Sequence, residues 1–191
     1  MKYFYCILIG LPVWFVVGIL VLAAPEMSKA LNVQGEISGG KTIMFCYAGL
    51  SLGDFLSGLV SQILKSRKKT VYIFIGMAVI FTVIYLNAFG ISANNFYILC
   101  SVLGFFGGYW AVFVTMSSEQ FGTNIRATVT TTVPNFVRGA LIPITIGFKA
   151  LIPSYGLLNS AMIVGVICFV AALWATSQVE ETFSKDLDYV E

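Results

Sequence analysis

Six apolar runs, each long enough to cross a bilayer as a helix, leave this 191-residue chain few folds to choose from. About 20 helical residues span the hydrocarbon core. Such runs occur at Tyr3–Ala24, Thr42–Leu64, Val71–Phe89, Phe96–Met116, Ala127–Ile152 and Tyr155–Thr176. They are too long and too uniform for barrel strands, which run to about ten residues and alternate. Composition agrees: 58% of residues are hydrophobic and 10% charged, with mean hydropathy +0.90. The expected fold class is an all-α membrane protein of six transmembrane helices over residues 1–176, with a polar, acidic tail over 177–191 that is peripheral or disordered. The first run also has the outline of a signal peptide, with Lys2 ahead of it and Leu22–Ala24 as a cleavage site. Its apolar stretch is long for that role, so a retained helix is expected.

The charges set the orientation. Lys2, Lys65, Arg67, Lys68, Lys69, Arg126 and Lys185 fall on one side of the six spans, and Lys29, Lys41 and Lys149 on the other. Lys/Arg-rich loops stay in the cytoplasm, so both termini are expected there, in a multi-pass protein of the plasma (inner) membrane. Nucleic acid is not an expected partner; the lipid bilayer is. Cys6, Cys46, Cys100 and Cys168 lie in or beside apolar runs without metal-type spacing, and the chain has no histidine. No metal or cofactor is expected, and no nucleophile, phosphate loop or carboxylate pair points to an enzyme.

The spans differ in polarity. The second carries small residues every four positions, Gly49, Gly53, Ser57 and Ser61, beside a row of Asp54, Gly58 and Gln62. The fourth holds Gly104, Gly107 and Gly108 ahead of Tyr109 and Trp110. The fifth carries Thr128, Thr131, Asn135, Arg138 and Thr145, interrupted by Pro134 and Pro143. Spacings of three or four keep such residues on one helix face, and small residues let helices approach closely. The third and sixth spans have few polar side chains and read as lipid-facing. Two interior helices and one exterior helix, repeated, give a 3+3 pseudo-repeat.

Asp54 and Arg138 stand out because an ionisable group in mid-membrane costs ~2.5–3.5 kcal/mol to insert. At ~1.5 Å per residue they lie roughly 16 and 18 Å from the basic ends of their spans. Three roles remain open from the residues alone. The two groups pair and hold the bundle together, Arg138 receives an anion, or Asp54 exchanges a proton. Tyr109 and Trp110, after a glycine-rich turn, either pack or line a substrate cavity. The cluster Lys65–Lys69 is a cytoplasmic anchor or, with Gln62, Glu119 and Arg126, a gate built from charges.

Several segments resemble the C-terminal six-helix half of a major facilitator superfamily transporter of the sugar- and metabolite-porter type. Gly58-Leu-Val-Ser-Gln62 followed by Ser66-Arg67-Lys68-Lys69 is similar to the family's Gly-x-x-x-Asp-x-x-Gly-Arg-Arg signature, with Gln62 in place of the acid and Lys65 in place of a glycine. Glu119-Gln-Phe-Gly122-Thr-Asn-Ile-Arg126-Ala-Thr is similar to Glu-x-Phe-Pro-Thr-x-x-Arg-Ala-Thr, with Gly122 for proline. Pro134-Asn135-Phe136-x-Arg138-Gly139 and Glu181-Thr-Phe-x-Lys-Asp-Leu-Asp extend the likeness along the chain. The resemblance implies a symporter-type half that needs a second six-helix half, and so a fragment, a split-gene product or a partnered chain. It implies a small polar or anionic substrate, with protons as the coupling ion. The third and sixth helices are outer helices in that family. The competing readings are a non-transporting membrane interaction or regulatory subunit and a six-helix channel assembled as a dimer.

Overall fold

The computed structural model describes residues 1–185 and 190. The tail positions 186–189 and 191, including the Asp-Leu-Asp of the last motif, lie outside the described residues. Among those described, the chain is helical and contains six helices or helix pairs long and apolar enough to cross a membrane: Lys2–Val21, Gly39–Leu64, Arg67–Leu86, Ala93–Glu119, Thr123–Tyr155 and Leu157–Gln178. These are the six runs legible in the sequence, each shifted by a few residues at its ends.

The first span is α1 (Lys2–Phe15), which contains Pro12 and widens into a π-helical segment, Val16–Val21. A short helix, α2 (Ala24–Ala30), follows in the first loop, with Pro25 in its first turn where a missing N–H costs nothing. Then come α3 (Gly39–Leu64), α4 (Arg67–Leu86), α5 (Ala93–Gly107) and α6 (Trp110–Glu119). The fifth span is split into α7 (Thr123–Gly139) and α8 (Leu141–Tyr155), and α9 (Leu157–Gln178) closes the bundle.

The closest packing in the bundle joins α3 to α5. Gly49 and Gly53 of α3 lie against the backbone of Ser101 and Phe105, and Gly104 and Gly108 lie against the backbone of Cys46, Gly53 and Asp54. Both glycine rows therefore face each other, backbone to backbone, as small-residue stripes in membrane helices do. Small residues on the first span work differently. Gly10 and Gly18 receive the side chains of Val137 and Leu141, while Gly165 of α9 receives the ring of Phe15. The first span thereby becomes the hub on which α7, α8 and α9 pack.

Between α3 and α4 the chain reverses in two residues. Lys65 takes the left-handed conformation, φ 48° and ψ 41°. Ser66 then caps α4, its Oγ accepting from Lys69 N at 3.1 Å. A left-handed turn followed by a serine N-cap suits this junction, and glycine is the residue that makes such a turn without strain.

Burial runs against polarity. The polar α3 and the α7–α8 pair are the least buried spans, and apolar α4 and α9 are more buried than either. Away from their end turns, α4 and α9 expose only apolar side chains, such as Ile73, Ile80, Val166, Ile167 and Val170. α7 exposes Thr128, Thr131, Asn135 and Arg138.

Candidate functional site

The glycine contact between α3 and α5 places Asp54 beside a break in the fourth span. The chain leaves α5 at Gly107, turns through Gly108 and Tyr109, and restarts as α6 at Trp110. The break frees backbone N–H groups within the span, which then need partners from outside the helix. Asp54 Oδ1 accepts from Ala111 N at 2.9 Å. A carboxylate at a helix N-terminus satisfies an orphan donor and meets the positive end of the helix dipole.

Arg138 reaches the same place from the other side. Its guanidinium sits 6.0 Å from the centre of the Trp110 ring and 5.8 Å from that of Trp14. The two indoles meet edge to face at 6.1 Å. Arg138 Nη1 also donates to Asn135 Oδ1 at 3.4 Å, one helical turn back. Asp54 and Arg138 thus do not form a salt bridge among the described residues. Trp110 links them instead: its backbone belongs to the helix start that Asp54 caps, and its ring supports Arg138. A cavity of about 170 Å³ opens here, with Arg138, Trp14, Trp110 and Tyr47 on one part of its wall and Val13, Val17 and Leu50 on the rest. A larger groove of about 630 Å³ runs past Asn135 and Phe136 of α7 and Ile7 of α1.

Tyr109, a candidate for packing or for lining a cavity, packs. It is fully buried, and its hydroxyl donates to Ile9 O at 2.9 Å. It ties the helix break to the hub helix, so it anchors the site rather than lining it. Trp14 is a wall of the cavity. Its indole Nε1 is buried without a hydrogen-bond partner among the described residues.

A second cluster forms at the basic ends of the spans. Arg67 Nη2 pairs with Glu119 Oε1 at 3.4 Å, and Arg67 Nη1 donates to Ser61 Oγ at 2.9 Å. Glu119 Oε2 accepts from Thr182 Oγ1 at 2.6 Å. Gln62 is exposed and shares a groove of about 360 Å³ with Arg67, Gly58 and Thr115. Arg126 donates through Nε and Nη2 to Phe121 O. Two of the expected gate residues, Arg67 and Glu119, are therefore in contact across spans three and four.

The segment after α9 does not trail away from this cluster. Ser66 Oγ donates to Glu181 Oε2. Arg67 N and Lys68 N donate to the same carboxylate at 2.9 and 3.3 Å. Lys68 Nζ reaches back to Val179 O at 2.7 Å, and Gln120 exchanges two hydrogen bonds with the backbone of Glu180. Phe183 lies under the Arg67 guanidinium at 5.4 Å. Residues Val179–Lys185 are thus strapped over the loop after α3 and the end of α6. The strap was invisible in the sequence because its hydrogen-bond partners lie 60 to 115 residues away.

Burial alone would raise the Glu181 carboxyl. The hydrogen bonds from Ser66, Phe183, Arg67 and Lys68 outweigh burial and hold it below the ordinary value of 4.5. The sign follows: the contribution of Glu181 to the strap is complete above about pH 4.5 and is lost as pH falls through the lowered value. The protection factors of the Thr182 and Phe183 amides, which both donate to Glu181 Oε1, are expected to fall on acidification below that point. The Glu181→Gln variant should show low protection there at every pH. Equal, pH-independent protection in both proteins would show that Glu181 does not hold the strap.

No family model and no curated protein matches the chain.

Proposed function

We propose that this chain is the C-terminal six-helix half of a secondary transporter of the major facilitator type, built as a 3+3 pseudo-repeat. It moves a small polar or anionic metabolite by alternating access, coupled to protons, in the plasma membrane with both termini in the cytoplasm. The observation that carries this reading is the exposed polar face of α7, which ends in Arg138 inside the fifth span. A charge held there cannot face hydrocarbon cheaply; it needs a water-filled cavity or a second protein surface. A second six-helix half, in the same protein or in a separate chain, supplies both. Substrate then binds near midplane, between the halves, and rocking of one half against the other exposes it to each side in turn.

In this reading the Arg67–Glu119 cluster and its strap form the cytoplasmic gate. Contacts made on one side only bias two states that differ by a few kcal/mol. Asp54 is the proton carrier: gain of a proton weakens its charge-assisted hold on the start of α6, and with it the position of Trp110.

The test uses cells that natively carry the chain. Deletion of the gene should abolish uptake of at least one small carboxylate or sugar. Asp54→Asn should lower proton-driven uptake at least tenfold while leaving exchange of internal for external substrate within about twofold. Unchanged proton-driven uptake would remove Asp54 as the coupling group. A deletion without any uptake phenotype would favour the non-transporting subunit.

A further inference from the structure

Resting on the transporter reading above, we infer that Arg138 and the two indoles form a subsite for a small monocarboxylate with a short apolar body. The charge count comes first. Arg138 is the only charged residue lining the 170 Å³ cavity, and among the described residues it has no carboxylate within ion-pair distance. Its neighbours are two π faces and one amide oxygen. Those contacts support the guanidinium without neutralising its charge. Of its five N–H donors, the long bond to Asn135 uses one. A planar fork held in place with donors to spare is the geometry that binds a carboxylate in two parallel hydrogen bonds.

The charge of the ligand follows from what else is near. The N-terminus of α6, the other source of positive potential, is already taken by Asp54. One cation beside a carboxylate suits a monoanion and disfavours a dianion such as phosphate. The size and polarity of its body follow from the remaining wall. Val13, Val17 and Leu50 offer only apolar surface. The cavity, about 170 Å³, is smaller than the ~300–1,000 Å³ of drug-sized sites. The ligand is therefore a few carbons long, with its carboxylate toward Arg138 and its body toward Val13 and Val17. The buried, unpartnered Trp14 Nε1 gives the same wall a further donor, available to a ligand oxygen after a small rotation of the indole.

The test measures binding, so it does not depend on transport. The full chain is placed in nanodiscs of neutral lipid, and tryptophan fluorescence is followed with butyrate, butyramide and inorganic phosphate as probes. Two of the three tryptophans line the cavity. The third, Trp174, packs edge-on against Tyr5 and serves as a constant background. Butyrate should give a saturable change. Butyramide and phosphate should bind at least tenfold more weakly. Arg138→Gln should raise the butyrate midpoint at least tenfold, and Arg138→Lys, which keeps charge but loses the fork, by an intermediate factor. Val17→Phe fills the cavity with Arg138 in place and should also abolish the butyrate signal, which covers the case in which Arg138→Gln does not fold.

Butyramide binding as well as butyrate, or an unchanged midpoint in Arg138→Gln or Val17→Phe, overturns the subsite. So does an absent butyrate signal in the wild-type chain. Saturable, Arg138-dependent binding in a chain whose deletion changes no uptake would keep the subsite and remove the transporter. Carboxylate uptake that survives Arg138→Gln would do the reverse.

Discussion

Replacing Gly53 by alanine is expected to destabilise the bundle by at least ~3 kcal/mol, whereas Gly58→Ala, five residues later on the same helix, should be neutral or stabilising. Overfilling a packed contact typically costs ~1–3 kcal/mol, when side chains can move aside. At Gly53 the obstacle is the Phe105 carbonyl oxygen. That group is backbone, and it cannot move without parting α3 from α5 along the whole row of Gly49, Gly53, Gly104 and Gly108. Nothing lies within 4 Å of a methyl group at Gly58, so only the helix-propensity gain of ~0.5–1 kcal/mol remains there. The opposite signs are to be read from thermal unfolding in detergent, followed by size-exclusion recovery of the monodisperse peak. Equal effects at the two positions would mean that the α3–α5 contact does not limit stability. A functional consequence follows, because that contact sets Asp54 against the start of α6. Partial unpacking should disturb Trp110 and Arg138 before it unfolds the protein.

The second large effect is expected at Glu119. Its carboxylate holds Arg67 at 3.4 Å and Thr182 at 2.6 Å, and the paired side chains keep only 16% and 11% of their surface exposed. Removing one member of a buried pair leaves the other charge uncompensated and costs ~3–5 kcal/mol. With some solvent left at this site, Glu119→Ala should cost about 2–3 kcal/mol, at or just below the low end of that range. Arg67→Ala should cost a similar amount, and the double variant less than the sum, because neither charge is then left alone. Additive losses in the double-mutant cycle would show that the two side chains do not interact. The Glu180–Lys185 pair makes a useful contrast. It is shorter, at 2.8 Å, but 59% and 30% exposed, and exposed pairs contribute ~0–1 kcal/mol. Its removal should leave unfolding unchanged, so burial rather than distance decides which of the two ion pairs matters.

Much of the architecture was legible because bilayer crossing is a matter of length and hydropathy. The run expected at Thr42–Leu64 is α3, and Val71–Phe89 corresponds to α4 three or four residues further on than the helix itself. The difference at the start of α4 comes from Arg67–Thr70, whose polar side chains hide a helical turn capped by Ser66. The glycine rows were visible as spacing, and the structure supplies their counterpart: each row meets the backbone of the other. The left-handed turn at Lys65, a residue that seldom adopts it, was not legible in the side chains alone.

The candidate site was legible only in part. Asp54 and Arg138 could be named as mid-span charges at matching depth, because charge and count along a helix are local properties. That they meet through Trp110 rather than directly could not be read, since it depends on a helix break between Gly107 and Trp110 and on which way two indole rings turn. Tyr109 and Trp110 looked alike as neighbours after a glycine turn. One residue step is about 100° around a helix, and the packing of α1 sent Tyr109 into the core and Trp110 to the cavity.

What the sequence by itself determined is the set of spans, their polar and apolar division, and the two charges that demand an explanation. Hydrophobicity and helical period act over a few residues, so they are written locally. What only the tertiary structure decided is partnership: Asp54 with the start of α6, Arg138 with Trp14 and Trp110, and Glu181 with the start of α4. Each of those contacts joins residues dozens to more than a hundred positions apart, and only helix packing brings them within hydrogen-bonding or ring-contact distance.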